Sequence, residues 1–450
     1  MSAHATSPKV LFLGSSSSEP MFNWHPIINR PHYGAHANAY FLPALLIAIL
    51  SMGTAGIAQS EANSQIWVGT WASSQQIPEP ANALPGEGLT DITLRQIVHL
   101  SIGGTILRVR LSNAFGTAPL RFTSVHIAHP QSSGSSAINP ISDRPLSFSG
   151  QSDVIVPAGT DYVSDSIDFP VVALSDLAIT FHLEALPTVQ TGHPGSRATS
   201  YYVPGNVVSA ANLIGAKTMD HWYQISGIDV LGPANTASVV ALGDSITDGH
   251  GSITNGNGRW TDVLAQRLQS LSANRNIGVL NAGIGGNHLL TDGLGPNALA
   301  RFDRDVLAQD GVHWLIVFEG VNDLGDLTRN GELASMEHAS LVHRVLAAYQ
   351  QFIIRAHARG IRVIGATITP YMGSDYYHPG PASEADRQAI NQWIRTSGHF
   401  DAVLDFDQII RDPSHPDHLL PSYDCGDHLH PSPSGYRAMA NAIPLSLFAN

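Results

Sequence analysis

Four short stretches of this 450-residue chain carry groups that acyl-transfer chemistry could use. "SVVALGDSITDGHG", residues 238–251, runs an apolar segment straight into Gly-Asp-Ser, so Ser245 offers a hydroxyl at the end of a buried strand. That carboxyl edge is where ligand sites of parallel α/β sheets lie. "GDHLHPSPSGYRAMANAI", residues 426–443, sets Asp427 three residues before His430 in a turn leading into a helix, with Ser432 as N-cap and Pro433 at the first helical position. At that spacing one carboxylate can hold one imidazole nitrogen and leave the other to take a proton from a serine. "VLNAGIGGNHLL", residues 279–290, ends in glycines, and Gly286 can present its backbone N–H unobstructed. "WLIVFEGVNDLGD", residues 314–326, ends a further apolar run, with the Asn322 amide just past it. A nucleophile, a base, an orienting acid and donors for an oxyanion are the parts of a serine hydrolase.

Each stretch alone has a plainer explanation. Gly, Asp, Ser and Asn are ordinary turn formers, and the glycines could serve only a tight turn. Asp427 and His430 alone are two loop residues near a helix start. Asp424 competes with Asp427 as the acid. Asp244 and Asp248 fit a role capping or bracing the serine turn. Glu319 and Asp323 are candidates to position the Asn322 amide or are loop residues, while His250 and His288 line a pocket or stand by. Cys425 packs locally, with no partner base in view. A second apolar run ending in Gly-Ser, at Ser15, is discounted because no α/β pattern follows it.

The elements that must position these groups fall into two patterns. From residue 59 to 235 the chain reads as all-β. "GGTILRVRLSNAFG", residues 103–116, alternates Ile106, Arg108 and Arg110 with Leu107, Val109 and Leu111, a half-buried strand. Further runs at 121–129 and 176–186 alternate likewise, with Gly-, Pro- and Ser-rich turns between, which predicts a β-sandwich or jelly roll. From 236 to 450, non-alternating apolar runs ("SVVALG", "WLIVFEG", "RVIGATIT", "AVLDF") sit between amphipathic helical stretches. That predicts a parallel sheet covered on both faces. The boundary falls in "GPANTA", residues 232–237, a linker short enough to imply close packing of the domains.

Residues 1–58 read as a leader with a secretory signal: Arg30, then "FLPALLIAIL" at 41–50, then small residues, with cleavage expected after Ala58 and a start at Met21. The run is short and broken by Pro43, against a membrane span, so no stable insertion is expected after cleavage. A net charge of −13 argues against nucleic acid and anionic membrane partners. One cysteine excludes an intrachain disulfide and multi-cysteine metal sites.

The four blocks "GDSITDG", "NAGIGGN", "GVNDL" and "DHLHP" stand in an order that resembles the SGNH, or GDSL-type, hydrolases over residues 239–447. "IWVGTWASS", "TLRQIVHLSIGG", "LRVRLSNAFG" and "RATSYY" look like the exported subgroup with an extra N-terminal β domain. The resemblance implies an α/β/α three-layer catalytic domain, Ser245 as nucleophile, His430 as general base and then acid, and Asp427 orienting it. It implies an oxyanion hole of Ser245 N–H, Gly286 N–H and the Asn322 side chain, and no metal or organic cofactor. The expected activity is that of an exported serine esterase, an acetylesterase or short-chain carboxylesterase on a small-molecule or polysaccharide ester. Alternatives are a lipase, lysophospholipase or thioesterase, acyl transfer to another hydroxyl, and an inactive carbohydrate-binding protein. The β domain either binds carbohydrate or walls the cleft with Trp67, Trp71, Tyr201 and Tyr202 exposed, or buries these aromatics as core.

Overall fold

Between Gln65 and Pro233 every strand pairing is antiparallel; from Ala237 onward every pairing between strands is parallel. The computed structural model describes residues 65–449 apart from 86–89, 330, 332 and 333. The leader and cleavage site expected at 1–58 lie outside the described residues. Among the described residues no helix is long and apolar enough to cross a membrane.

The first region holds two larger antiparallel sheets. One runs Gln65–Ala72, Ile225–Pro233, Gly104–Ser112 and Asp161–Val163; the other is built around Thr90–His99, Asp176–Ala185 and Leu120–Ala128. Val68, Leu107 and Val109 of the first share one core with Leu94, Phe122 and Phe181 of the second, which makes the pair a sandwich. Trp71, Tyr201 and Tyr202 are buried. Trp67 is half-buried with the Arg108 guanidinium 4.4 Å above its ring. These aromatics are packing groups.

The Arg108 and Arg110 face, read from alternation as the solvent side, is covered instead. Arg108 bonds Asp229 (2.9 Å) and Asp310 (2.7 Å), and Arg110 bonds Gln309 (3.1 Å), both of the latter partners belonging to the second region. Alternation reports which face is apolar, and a polar face can still be buried when charges of the opposite sign meet it.

In the second region the strand order is Ile277–Gly283, Ala237–Gly243, Val312–Phe318, Arg362–Ala366, Ala402–Leu404. Helices Trp260–Ser270 and Pro433–Ala442 pack together, as do Ser335–His357 and Pro381–Thr396. Both pairs and the strands contribute to one core, so the sheet is the middle of three layers. Because the order reverses beside Ala237–Gly243, the loops leaving the carboxyl ends of neighbouring strands diverge there and open a crevice. The sheet edge at Ile277–Gly283 is met by the sandwich: Val279 N–H donates to Ser101 Oγ at 2.9 Å.

Candidate active site

Ser245 opens a single helical turn, Ser245–Asp248, directly after the strand Ala237–Gly243. The next helix starts only at Trp260. Asp244 caps it, its Oδ1 accepting the Ile246 N–H at 2.8 Å.

Ser245 Oγ lies 2.8 Å from His430 Nε2, across 185 residues of chain. His430 Nδ1 lies 2.6 Å from Asp427 Oδ2, while Asp427 Oδ1 accepts the backbone N–H groups of His430 (2.8 Å) and Leu429 (3.0 Å). Burial by itself would raise the Asp427 pKa, but the hydrogen bond and charge of His430, with these backbone donors, hold it well below the usual carboxylate range. Asp424 has another partner. Its carboxylate takes His428 Nδ1 at 2.6 Å and the Gly426 N–H at 2.7 Å, which leaves Asp427 to His430. His430 precedes the helix Pro433–Ala442, which Ser432 caps through the Gly435 N–H with Pro433 at its first position.

The donors lie beside this chain of bonds. Among the described residues, neither the Ser245 nor the Gly286 N–H has a protein acceptor. Ile284 N–H donates to Gly243 O at 3.0 Å, fastening the glycine turn to the end of the serine's strand. Gly286 has φ +66°, a left-handed conformation that disfavours a side chain, and the exposed Leu294 leans on it. Asn322, in the first turn of helix Val321–Thr328, donates one amide N–H to Asn287 O at 2.6 Å, which leaves its second N–H free. The amide therefore sits next to the turn that carries Gly286.

Residues 241–438 match the model of the GDSL-like lipase/acylhydrolase family. This domain belongs to that family. The GDSL-like domain is accordingly an ester-hydrolysing one. Among solved structures, a lipase/acylhydrolase from Enterococcus faecalis is similar at 18% identity, over 46% of this chain and 93% of that one, with a TM-score of 0.34. A variant of an acetyl xylan esterase from Geobacillus stearothermophilus is similar at 20% identity, over 46% of this chain and 92% of that one, with a TM-score of 0.34. No curated protein matches the chain.

Beneath the serine turn the GDSL-like domain buries four acids, Asp244, Asp305, Glu319 and Asp323, and one guanidinium, Arg301, that pairs with two of them. Arg301 donates to Gly243 O (3.0 Å), Ala282 O (2.7 Å), Asn287 Oδ1 (2.9 Å), Ser74 Oγ (3.0 Å) and Asp305 (3.0 Å), and stands 3.6 Å from Glu319. Burial pushes the Asp244 carboxyl up to about 7, and raises Glu319 well above its ordinary value, with Asp244 nearby adding to the rise. Asp323, also raised by burial, accepts the Leu289 (2.8 Å) and Leu290 (3.1 Å) N–H groups. Neither Glu319 nor Asp323 makes a side-chain hydrogen bond to the Asn322 amide, for which the sequence had offered them. Tyr377 does: its hydroxyl donates to Asn322 Oδ1 at 2.6 Å.

The sandwich reaches the serine turn too. His193 Nε2 meets Asp248 Oδ1 at 2.9 Å, and buried Arg259 links Asp248 O to Ser196 O. Arg197 lies 3.3 Å from His250 Nδ1. The His250 ring stands 4.0 Å from that of His430, and burial, followed by the charges of His430 and Arg197, lowers its pKa to about 4. His288 pairs with Asp326 at 2.9 Å. Cys425 is exposed, and burial of its sulfur and the Asp427 charge push its thiol up to about 11, away from nucleophilic use. Two clusters have metal-ligand spacing among the described residues, His250–Asp427–His430 and Asp424–Cys425–Asp427, and both share the carboxylate that holds His430.

Proposed function

We propose that this chain is an exported serine esterase that removes acetyl or other short acyl groups from sugar-linked alcohols. The observation that carries the reading is the unbroken sequence of hydrogen bonds from Ser245 Oγ through His430 to Asp427, 2.8 and 2.6 Å long. Asp427 holds the tautomer with Nδ1–H, so Nε2 is the free base that takes the Ser245 proton as Oγ attacks the ester carbonyl. The negative oxygen that develops is received by the Ser245 and Gly286 N–H groups and the spare Asn322 N–H. His430 then returns the proton to the leaving alkoxide. Water, deprotonated by the same nitrogen, releases the acid and restores Ser245.

Polar groups stand beside the triad: the His250 ring, 4.0 Å from that of His430, and Arg197 against His250. That favours an alcohol carrying hydroxyls. Export rests on the residue order at 30–58, and N-terminal sequencing of the mature protein tests it.

The activity test is hydrolysis of aryl esters of increasing acyl length by the wild type and Ser245→Ala. A maximum at acetate, lost in the variant, is the expected result. A maximum at long chains keeps the mechanism and moves the substrate to lipids. Activity that survives the substitution overturns the role of Ser245.

A further inference from the structure

The Asn322 amide is held at both ends. Its Nδ2 donates to the Asn287 carbonyl at 2.6 Å, and its Oδ1 accepts the Tyr377 hydroxyl at 2.6 Å. Both side chains are inside the protein, Asn322 at 2% and Tyr377 at 3% exposure. An amide can turn over and exchange its oxygen for its nitrogen. Turned over, Oδ1 would face the Asn287 carbonyl, two acceptors in contact, and Nδ2 would face the phenol.

Tyr377 is itself fastened to the helix that carries Asn322. Its ring lies on Gly325, one helical turn along the same face, where any Cβ would run into the ring. Its carbonyl accepts the Thr328 hydroxyl at 3.2 Å, and Tyr376 packs edge-on against it with ring centroids 4.7 Å apart. A glycine inside a helix is normally unfavourable. Here its missing side chain is the space the phenol ring occupies.

We propose that Tyr377 is a positioning residue: its hydroxyl fixes the Asn322 amide so that the second N–H is presented to the oxyanion. This rests on the oxyanion role proposed for Asn322. The phenol makes no contact with substrate and acts only through the amide. Its hydrogen bond to Oδ1 also polarises the amide and strengthens the N–H groups as donors. Burial, with Asp326 adding to it, holds the phenol above its ordinary pKa, so it stays a donor throughout the working range.

A double-mutant cycle tests this, with kcat and KM read separately. Tyr377→Phe keeps the ring on Gly325 and removes the hydroxyl. The expected result is that kcat falls about tenfold with KM changed less than about twofold, since the lost interaction matters in the transition state. In an Asn322→Ala background the same substitution should change kcat less than about twofold. An equal loss in both backgrounds, or no loss in the wild type, overturns the proposal. If Asn322→Ala alone leaves kcat intact, the oxyanion role of Asn322 fails instead, so the two failures are distinct. Should Tyr377→Phe not fold, Gly325→Ala displaces the ring and is expected to give the same kcat-selective loss, again absent in the Asn322→Ala background.

Discussion

Asp244→Asn is expected to make the protein more stable at alkaline pH, and the size follows from burial. Asp244 is buried, with one backbone hydrogen bond from Ile246 and with Asp323 and Asp248 as unfavourable neighbours; Arg301 relieves this only in part. Its pKa rises from 3.8 in an exposed chain to about 7 in the folded protein. Each unit corresponds to ~1.4 kcal/mol, so the shift is worth about 4 kcal/mol in total. Because the folded value is raised, this stability is fully present below the unfolded pKa and is lost as pH climbs through the folded pKa. Roughly 2.5 kcal/mol of it goes between pH 5 and pH 8 by the same linkage. Asparagine keeps the cap to Ile246, since it serves as well as aspartate at that position, but it cannot ionise. Urea unfolding of both proteins at half-unit pH steps measures the difference directly; titrating groups remote from Asp244 cancel between them, while Glu319 and Asp323, which feel its charge, add to the difference. The variant should gain steadily on the wild type from pH 5 to 8. A difference that is flat or shrinks with pH would refute the reasoning, because it would mean that Asp244 ionises without penalty.

Asp427→Asn should lower kcat by roughly three to four orders of magnitude with His430 left in the wrong tautomer, while Asp424→Asn, whose partner is His428, should change it only a few-fold. Steady-state kinetics on an aryl acetate separates them. Arg301→Met removes the buried donors to Gly243 O, Ala282 O, Asn287 and Ser74 and leaves Asp305 with Arg304 alone, and should destabilise the fold by about 3–5 kcal/mol, read as a lower urea midpoint. Cys425 should alkylate slowly at pH 7 and faster only as pH approaches 11, followed by mass spectrometry against free thiol.

How much of this is written locally in the chain differs from part to part. The five parallel strands show as apolar runs because both their faces are covered, and the turns after three of them hold Ser245, Gly286 and Asn322. Asp427 and His430 are neighbours in the sequence, so their contact is a matter of one turn. What was missed depends on contacts between distant segments. Tyr377 reaches Asn322 across 55 residues, and only the glycine at 325, unexplained inside an apolar-periodic helix, signalled that something lies close against it. His193 and Arg197 come to the serine turn from the other domain, with no spacing to betray them. Arg95 is the sharpest case. It lies fully buried in strand Thr90–His99, where its guanidinium bonds Thr180 and the carbonyls of Ser136, Val208 and Ala210. A pattern of polar and apolar letters assigns such a residue to the surface.

The contact of Ser101 with the sheet edge at Val279 bears on the order in which the chain is made. An uncovered strand edge invites pairing with another molecule. Synthesis runs from the N-terminus, and domains generally fold as units as they emerge. The sandwich, which carries the Ser101 hydroxyl and the Arg108 guanidinium, lies wholly ahead of Ile277–Gly283 in the chain and so can form first in whichever compartment the chain folds. When that edge appears, its cover is waiting beside it on the same chain.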